Sequence, residues 1–513
     1  MNAETSQLLS QTNFTPLDWG IVVVYLLCSV AVGLVARKFV VSMTDYVSAG
    51  RAVGTALGVA TLTGTELGLI TVMYSAQKGF GGGFAAFHIA VAAFITTFLV
   101  GASGFIVYRL RSLEVLTIPE YYERRFGRRT RILGGIMLAF GGILNMGLFL
   151  KVGSMFIVGV SGLSESSGAL PGVMTCLLIL VLVYTVLGGM ISVIITDYIQ
   201  FVLLSFSLLV VTGIAIVKLG WENIFSTILA EMGEKGFNPL VSEGAFGTEY
   251  VIWMFFLGLV ACGVWPTAIA RALSADSPAT VKKQYMWSSV SFLIRFLIPY
   301  FWGICAFVFL VTKAPDLHAL FFPAAEGVEG MNNLYAMPVF LGRILPAGLI
   351  GLVTAGMIAA FMSTHDSYLL CWSSVITQDV VAPMMGERLS TPGRIRLTRI
   401  LIVVIGIYIL YWGLVYDGRD DIWDYMAVTG AIYFTGAFAV LVGGLYWKRA
   451  SSTGSILALL CGFVAVLGLS PVQSLFQVEW SSATVGLSTV GCSLAAMVLG
   501  SLAFPDRPKE GTR

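Results

Sequence analysis

Oxygen-bearing side chains run along a long apolar stretch of this sequence, residues 345–381. Small and polar residues recur there three or four positions apart, which places them on one helix face: Gly356, Ala360, Ser363, Ser367, Cys371, Ser374 and Gln378. Thr364 and Asp366 flank that face. An Asp in mid-helix costs roughly 2.5–3.5 kcal/mol on membrane-insertion scales, so it should face protein, water or a cation. Hydroxyl and carboxylate oxygens suit hard ions such as sodium. The stripe therefore indicates helix packing or an ion path, and Asp366 favours the path.

Composition determines what kind of element positions these groups. Hydrophobic residues make up 57% of the 513 residues, charged residues make up 11%, and the mean hydropathy is +0.88. These values predict an all-α polytopic membrane protein. The net charge of +2 gives no reason to expect a nucleic-acid partner. The seven cysteines fall in apolar stretches, which favours core packing over disulfides or a zinc site. The sequence shows no nucleophile with a His partner, so an enzyme is not expected.

Hydropathy predicts about thirteen transmembrane helices. They lie near 18–38, 52–76, 83–108, 131–160, 169–189, 191–217, 248–271, 284–312, 345–381, 394–415, 422–447, 452–470 and 483–504. Of the 30 Lys and Arg residues, 22 fall in loops of one side and 6 in loops of the other. The positive-inside rule then predicts an N-terminus outside and a C-terminus in the cytoplasm. The first 16 residues lack Lys and Arg and show no cleavage pattern, so we expect the first span to be retained.

Two of the predicted spans are interrupted near their middles. The second contains GTELG (64–68), and the seventh contains GLVACGVWP (258–266). Five spans separate the two breaks, counting one broken span but not the other, which predicts an inverted repeat of five plus five helices. Each break frees backbone groups that can bind an ion or a charged solute near the midplane.

Other polar residues inside spans have two readings each. Asp197 follows a Gly-Gly pair and either caps a helix or binds an ion. Asn145 either bonds a neighbouring helix or contacts the solute. We expect Lys151 to extend toward the interface, and we expect His88 to be a satisfied interior residue. Arg295 is interpreted as structural.

Several motifs, in order along the chain, resemble the sodium:solute symporter family (solute carrier 5-like). The strongest are YTVLGGMISVIITDYIQ (184–200) and GLIGLVTAGMIAAFMSTHDSYLLCWSSVITQD (348–379), supported by AGR (49–51), IPEYYERRFG (118–127), PTAIARALSADS (266–277) and GLYWKRA (444–450). In motif style the chain is nearest to the proline- and pantothenate-type carriers. The resemblance implies a leucine-transporter-like fold in one domain, 1–513. An extra helix (18–38) would precede the inverted-repeat core (52–447), and two further helices (452–504) would follow it.

The resemblance also implies residue roles. The main sodium site would use Gly64, Leu67, Ala360, Ser363 and Thr364. A second cation site would use Asp197, Ser363, Asp366 and Ser367. The residues expected to contact the solute are Glu66, Gly68, Asn145, Cys262, Trp265 and Pro266. His365 has no assigned role.

The implied function is sodium-coupled secondary active import of a small organic solute by alternating access, with Na+ as the coupling ion. Glu66 beside the cavity favours an ammonium group, so an amino acid or amine-like solute is the first hypothesis. A carboxylate bound by backbone amides at a helix break is the alternative. Proton coupling on the same fold is a second alternative, and a channel or sensor built on the symporter fold belongs to a different class. We expect a monomer in the plasma (cell inner) membrane, with the solute and the lipid bilayer as its partners.

Overall fold

The computed structural model describes most of the chain: residues 8–36, 49–163, 168–241, 243–323, 330–386, 388–416 and 421–506. Six of the basic residues counted for orientation lie outside these ranges: Arg37, Lys38, Arg419, Arg507, Lys509 and Arg513. The last two residues of the predicted span 18–38 also lie outside them.

Nearly all of the described chain is helical. The helices are α1 (Pro16–Ala36), α2 (Thr55–Glu66), α3 (Leu69–Gly82), α4 (Phe87–Ser103), α5 (Val107–Ser112), α6 (Ile118–Phe126), α7 (Arg128–Met146), α8 (Phe149–Ser161), α9 (Ala169–Leu219), α10 (Trp221–Met232), α11 (Thr248–Val264), α12 (Pro266–Ser274), α13 (Pro278–Thr312), α14 (Pro315–Phe321), α15 (Ala336–Ile344), α16 (Leu349–Val375), α17 (Thr391–Val415), α18 (Ile422–Tyr446), α19 (Ser452–Gly462), α20 (Ser470–Phe476) and α21 (Ser482–Ala503).

Among the described residues, eight helices are long and apolar enough to cross a membrane, or up to ten if each sharply bent helix pair is one span. The bent pairs are α11 with α12 (43°) and the 452–468 helix with α20 (80°). Local sequence explains where many helices begin. Pro at the first helical position lacks only an N–H that would be unpaired anyway, as at Pro266 and Pro278. Side chains such as Ser277 and Ser390 accept the next free N–H.

Both predicted breaks are present, each at the end of its predicted segment. The first falls at Leu67 and Gly68, between α2 and α3. The second falls at Trp265, whose extended backbone joins α11 to α12 directly before Pro266. Pro266 has no backbone N–H to bond within a helix, and it disfavours helical backbone angles at the residue before it. Helix α11 therefore ends at Val264.

Two predicted spans, 169–189 and 191–217, form one continuous run of helix, α9, with no helix end at the Gly-Gly pair. A straight helix of 51 residues would be about 76 Å long, more than twice the ~30 Å of a bilayer's hydrocarbon core. Its first half passes α17 with Met174 against Gly413 and Leu182 against Gly406, so the two run antiparallel.

The second half of α9 runs the other way. Asp197 lies beside Ser363 of α16, and Lys218 donates to the carbonyl of Ile344, which lies just before α16 (2.8 Å). This half is therefore antiparallel to α16. Since α16 and α17 are consecutive antiparallel helices, the halves of α9 point in opposite directions, as two predicted spans require.

The predicted span 345–381 is the most enclosed part of the bundle, together with α18. α16 covers 349–375 and continues as a π-helical turn, Ile376–Val381. Within its most apolar window, 89% of residues are buried. Helix α1 holds the beginning of α16: Asp18 accepts hydrogen bonds from the backbone N–H groups of Gly348 (2.7 Å) and Gly351 (2.8 Å). A carboxylate at a helix N-terminus satisfies free donors and complements the helix dipole.

Candidate ion and solute site

The break after α2 lies directly against the hydroxyl pair of α16. Thr364 Oγ1 lies 3.0 Å from the carbonyl oxygen of Ala360 and 3.4 Å from that of Thr65. A Cβ added at Gly68 would lie only 2.1 Å from Thr364 Oγ1. Leu67 has non-helical backbone angles (φ −94°, ψ 63°), so carbonyls of this turn leave the helical hydrogen-bond pattern beside Thr364. Carbonyl and hydroxyl oxygens thus converge from two helices.

Asp197 of α9 forms the third side of this junction. Its carboxylate accepts hydrogen bonds from Ser363 at one oxygen and from Thr61 (2.7 Å) and Thr65 (2.9 Å) at the other. A Cβ added at Gly64 would lie 3.1 Å from the Asp197 carbonyl oxygen, which shows how closely α2 and α9 pack. Because Ser363 donates its proton to Asp197, its oxygen lone pairs stay available to a cation.

A buried guanidinium completes the cluster. Arg271 of α12 forms an ion pair with Asp197 (3.3 Å), and both side chains are fully buried. The same nitrogen donates to Ser367 Oγ (2.6 Å), which donates in turn to Asp366 (3.1 Å). The four residues predicted for a second cation are therefore together, and Arg271 already places a positive charge among them.

An apolar cavity of ≈ 150 Å³ opens beside the break. Four of the six predicted solute residues line it: Glu66, Asn145, Cys262 and Trp265. Gly68 is not among the lining residues, and Pro266 instead borders a second cavity of ≈ 40 Å³ between α12 and α16. Most of the wall is aromatic or aliphatic: Leu62, Ile70, Tyr74, Ile89, Met254, Leu257, Phe292, Phe296, Tyr368, Trp423, Met426 and Phe434.

The polar groups on this wall are few, and most are already paired. Glu66 accepts a hydrogen bond from Thr267 (2.8 Å). The Nδ2 amide of Asn145 donates to the carbonyl of Met426 (2.9 Å), but its Oδ1 is buried without a partner. Trp265 Nε1 donates to the Tyr368 hydroxyl (2.9 Å), which fixes the indole at the second break. The cavity thus combines an apolar body with a small number of oriented polar groups, as binding sites for small molecules do.

Comparison with known proteins assigns the family. The sequence model of the family described as "Sodium:solute symporter family" matches residues 46–462. The chain belongs to this family. It is therefore a multi-pass membrane transporter that couples a small solute to sodium, which confirms the predicted class of function and excludes an enzyme.

This chain is similar to several curated symporters along most of their length. A sodium/proline symporter of Haemophilus influenzae is 24% identical over 88% of this chain and 87% of its own. A sodium/sialic acid symporter of Proteus mirabilis is 25% identical over 89% and 90%. A sodium/glucose cotransporter of Vibrio parahaemolyticus is 24% identical over 80% and 78%.

Solved structures support the fold. A substrate-bound, outward-open sodium-coupled sialic acid symporter superposes with a TM-score of 0.79 at 20% identity, over 96% of this chain and 99% of its own. A nucleobase-cation symporter superposes with a TM-score of 0.54 at 12% identity, over 90% of this chain and 95% of its own. The predicted leucine-transporter-like fold class is confirmed, whereas the count of thirteen helices stays a prediction.

Ion pairs connect the helices on both sides of the symporter's cavity. On the side where α3 ends, Lys78 pairs with Asp421 (3.0 Å) and Asp424 (2.9 Å) of the α18 entrance. At the opposite end of the bundle, Arg131 pairs with the buried Asp379 (2.9 Å) and with Glu123 (2.5 Å). Each cluster ties neighbouring helices together at one end of the bundle.

Three polar residues with open roles contact backbone carbonyls. Lys151 donates to the carbonyl of Tyr416, at the end of α17. His88 Nδ1 lies 2.7 Å from the carbonyl oxygen of Ala85, and His365 Nδ1 lies 2.9 Å from that of Phe361. Lys151 thus reaches the residue that follows α17, and each histidine bonds its own helix turn through one ring nitrogen, while its Nε2 has no partner among the described residues.

Two arginines lie at the site that the sequence does not assign to it. The sequence places Arg271 among the loop charges and indicates a structural role for Arg295. Both lie against acids that had no assigned partner: Arg271 against Asp197, and Arg295 against Glu66. The available signal was the pairing rule itself, because acids inside membrane helices usually pair with a base.

Proposed function

We propose that this symporter imports an amino acid or a related amine-like solute together with sodium, by alternating access. The main ion is held by the carbonyls of Gly64, Leu67 and Ala360 and the hydroxyls of Ser363 and Thr364. The observation that carries this proposal is the contact between the α2–α3 break and Thr364. Oxygen ligands from two helices meet there, and among the described residues no basic side chain bonds either hydroxyl.

We further propose that the second set of residues, Asp197, Ser363, Asp366 and Ser367, binds a cation more weakly than the main site. Its support is Arg271, whose guanidinium lies within hydrogen-bond distance of Asp197 and Ser367. A fixed positive charge repels an entering cation and supplies the neutralisation that the cation would bring. Uptake should then depend on sodium with a Hill coefficient near one.

The solute is proposed to bind in the aromatic cavity against Glu66, Asn145, Cys262 and Trp265, with Gly68 and Pro266 shaping the two breaks. Sodium would enter the protein from the same side of the membrane as the solute, and both would leave on the other side. One sodium ion moving down 100 mV supplies about 2.3 kcal/mol before its concentration gradient is counted.

The excess of basic loop residues supports an orientation with the Arg131 end in the cytoplasm and the Lys78 end outside. The Lys78–Asp424 and Arg131–Asp379 clusters would then open alternately. In this arrangement the N-terminus lies outside and the C-terminus inside the cell inner membrane, and one chain holds a complete pathway, so a monomer suffices.

The decisive experiment is uptake of radioactive sodium into proteoliposomes that contain the full chain, with each common amino acid added in turn. We expect one or more amino acids to stimulate sodium entry. The variant Ser363→Ala with Thr364→Ala should abolish this entry, because two hydroxyl ligands are lost. Ser373→Ala is the matched control: this serine is also buried in α16, but it donates only to backbone carbonyls of its own helix.

Other results would select the rival functions. Solute uptake driven by a pH gradient alone would favour proton coupling. Sodium current without saturable solute uptake would favour a channel. If the double variant transports as well as Ser373→Ala, the proposed ion site is wrong.

A further inference from the structure

Arg295 of α13 lines the central cavity beside Glu66. Its side chain is only 8% exposed, and its Nε and Nη1 are buried without a hydrogen-bond partner in the part of the chain that the structure describes. The nearest anion is Glu66 Oε2, at 3.6 Å from Nη1, which is beyond hydrogen-bond distance. The other carboxylate oxygen of Glu66 accepts from Thr267 (2.8 Å). The ion pair is therefore loose, on the wall of a cavity that can hold a ligand.

Two aromatic rings hold the guanidinium in place without satisfying its donors. Its central carbon lies 3.8 Å from the ring centre of Phe292 and 4.5 Å from that of Phe296. Stacking of this kind fixes the plane of the group and leaves its edge free for a planar acceptor. Buried guanidinium donors without acceptors are unfavourable, so the geometry calls for an acceptor that the ligand brings. A carboxylate fits the fork of a guanidinium in a bidentate manner.

Charge balance decides what else the ligand carries. The Glu66–Arg295 pair is neutral, so an amine alone would leave a buried positive charge and a carboxylate alone would leave a buried negative one. Uncompensated buried charge is strongly unfavourable. A zwitterion places its carboxylate on Arg295 and its ammonium on Glu66, and the site stays neutral. The unpartnered Oδ1 of Asn145, on the same cavity, offers a second acceptor to an ammonium group.

The rest of the wall determines the body of the ligand. The rings of Tyr74, Trp265, Tyr368 and Phe434 face a space of ≈ 150 Å³. A cavity of roughly this volume accommodates a benzene ring. We therefore infer that the substrate of this symporter is a compact apolar amino acid bound as a zwitterion, with Arg295 as the residue that recognises its carboxylate. This inference rests on the proposed function and narrows its solute.

The test compares three kinds of ligand that share an apolar body. One kind carries both charged groups, one carries only the ammonium group and one carries only the carboxylate. The probes are L-proline, L-leucine and L-phenylalanine, their amides, which lack the carboxylate, and cyclopentanecarboxylate, isocaproate and phenylpropanoate, which lack the amine. Binding is measured by thermal unfolding of the detergent-solubilised full chain in sodium chloride and in potassium chloride, since a ligand stabilises the state that binds it. At least one amino acid should bind in sodium, about 30-fold or more tightly than its amide and its amine-free acid.

Two variants should invert the preference in opposite directions. Arg295→Met leaves Glu66 alone and should favour the amide, whereas Glu66→Gln leaves Arg295 alone and should favour the amine-free acid. An unfolded protein would show neither inversion. Arg295→Lys keeps the charge but loses the fork, so it should retain the wild-type order with weaker binding. Arg396→Met is the matched control, because Arg396 is exposed on α17 and remote from the cavity.

The outcomes separate this inference from the function on which it rests. If the amide binds wild type as well as the amino acid does, or if neither Arg295→Met nor Glu66→Gln changes the order of ligands, Arg295 does not recognise the solute. If sodium alone stabilises the protein but none of the three amino acids adds to it, the inferred substrate class is wrong and the sodium site stands. If sodium gives no stabilisation that potassium lacks, the proposed function itself fails.

Discussion

Gly68→Ala is the sharpest test of the proposed junction between the α2–α3 break and the hydroxyl pair of α16. Gly68 has φ −78° and ψ 163°, angles that alanine adopts without strain, so the backbone tolerates the change. The added methyl group would lie 2.1 Å from Thr364 Oγ1, whereas ordinary contact begins at 3.4 Å. Thr364 Oγ1 must therefore move away from the break by about 1.3 Å, the difference between the two distances.

That displacement exceeds what an ion site tolerates. Functional groups must hold their geometry within about 0.5 Å, so the oxygen ligands should no longer converge. Overpacking of this kind also costs about 1–3 kcal/mol of stability. Sodium at about 100 times its Kd stabilises a single-site protein by ~2.7 kcal/mol. We expect Gly68→Ala to lose this sodium-dependent part of the thermal shift, in addition to a lower melting temperature in potassium.

The chain offers a closely matched control. Gly54 precedes α2 with φ −77° and ψ 171°, and no atom of the described residues lies within 4 Å of a Cβ added there. Gly54→Ala should therefore keep the full sodium response. Combining Gly68→Ala with Thr364→Ala removes the closest atom but keeps the Cβ of residue 364 at 3.0 Å, so stability in potassium should recover in part while the sodium response stays lost. A sodium response in Gly68→Ala equal to that of Gly54→Ala would show that Thr364 does not hold the ion at the break.

Three further predictions follow from the contacts around this junction. Arg271→Met should destabilise the protein by about 3–5 kcal/mol, because it leaves the Asp197 carboxylate buried and unpaired, and adding Asp197→Asn should restore part of the loss; both are read from thermal unfolding. Lys78→Met should remove the ion pair between α3 and Asp424 and thereby speed the reaction of Cys262, on the cavity wall, with a hydrophilic thiol reagent. The rate of modification is measured by peptide mass spectrometry. An unchanged rate would mean that this ion pair does not block access to the cavity. Asp18→Ala should cost about 1–2 kcal/mol through loss of the α16 cap, and a melting temperature equal to wild type would rule out that role.

Apolar spans and candidate oxygen ligands can be proposed from the sequence, because both leave local signals. Apolar runs define spans, and a Glu between two glycines inside a span marks a break. The structure places that break at Leu67 and Gly68 and brings Ser363, Thr364 and Asp197 to it. The reversal of direction within α9 agrees with the two spans predicted on either side of Gly188–Gly189, although the run of helix does not end at that pair.

The arginines could not be located in the same way. A loop count assigns Arg271 to topology, since it sits at a predicted helix end, and only the fold shows that the bend at Trp265 turns α12 toward Asp197. Arg295 lies more than 200 residues from Glu66 in the chain, so no spacing rule connects them. Long-range pairing of this kind depends on how helices pack, and a single sequence carries no direct record of that.

The break itself supplies a physical route for coupling ion to solute. Four consecutive residues connect the two sites. Thr65 bonds Asp197 and Gly68 lies against Thr364, both at the ion junction. Between them, Glu66 contacts Arg295 and Thr267 at the solute cavity, and Leu67 leaves the helix. An ion that holds the Gly64 and Leu67 carbonyls in place would also restrict Glu66, which lies between them in the chain. Solute binding then avoids the cost of ordering Glu66, and by linkage the solute strengthens ion binding by the same factor. A coupling of this origin should vanish when the turn is uncoupled from α16, which is what Gly68→Ala does, even if Glu66 and Arg295 are intact. Solute affinity in that variant should therefore equal the wild-type affinity measured in potassium, and it should be indifferent to sodium.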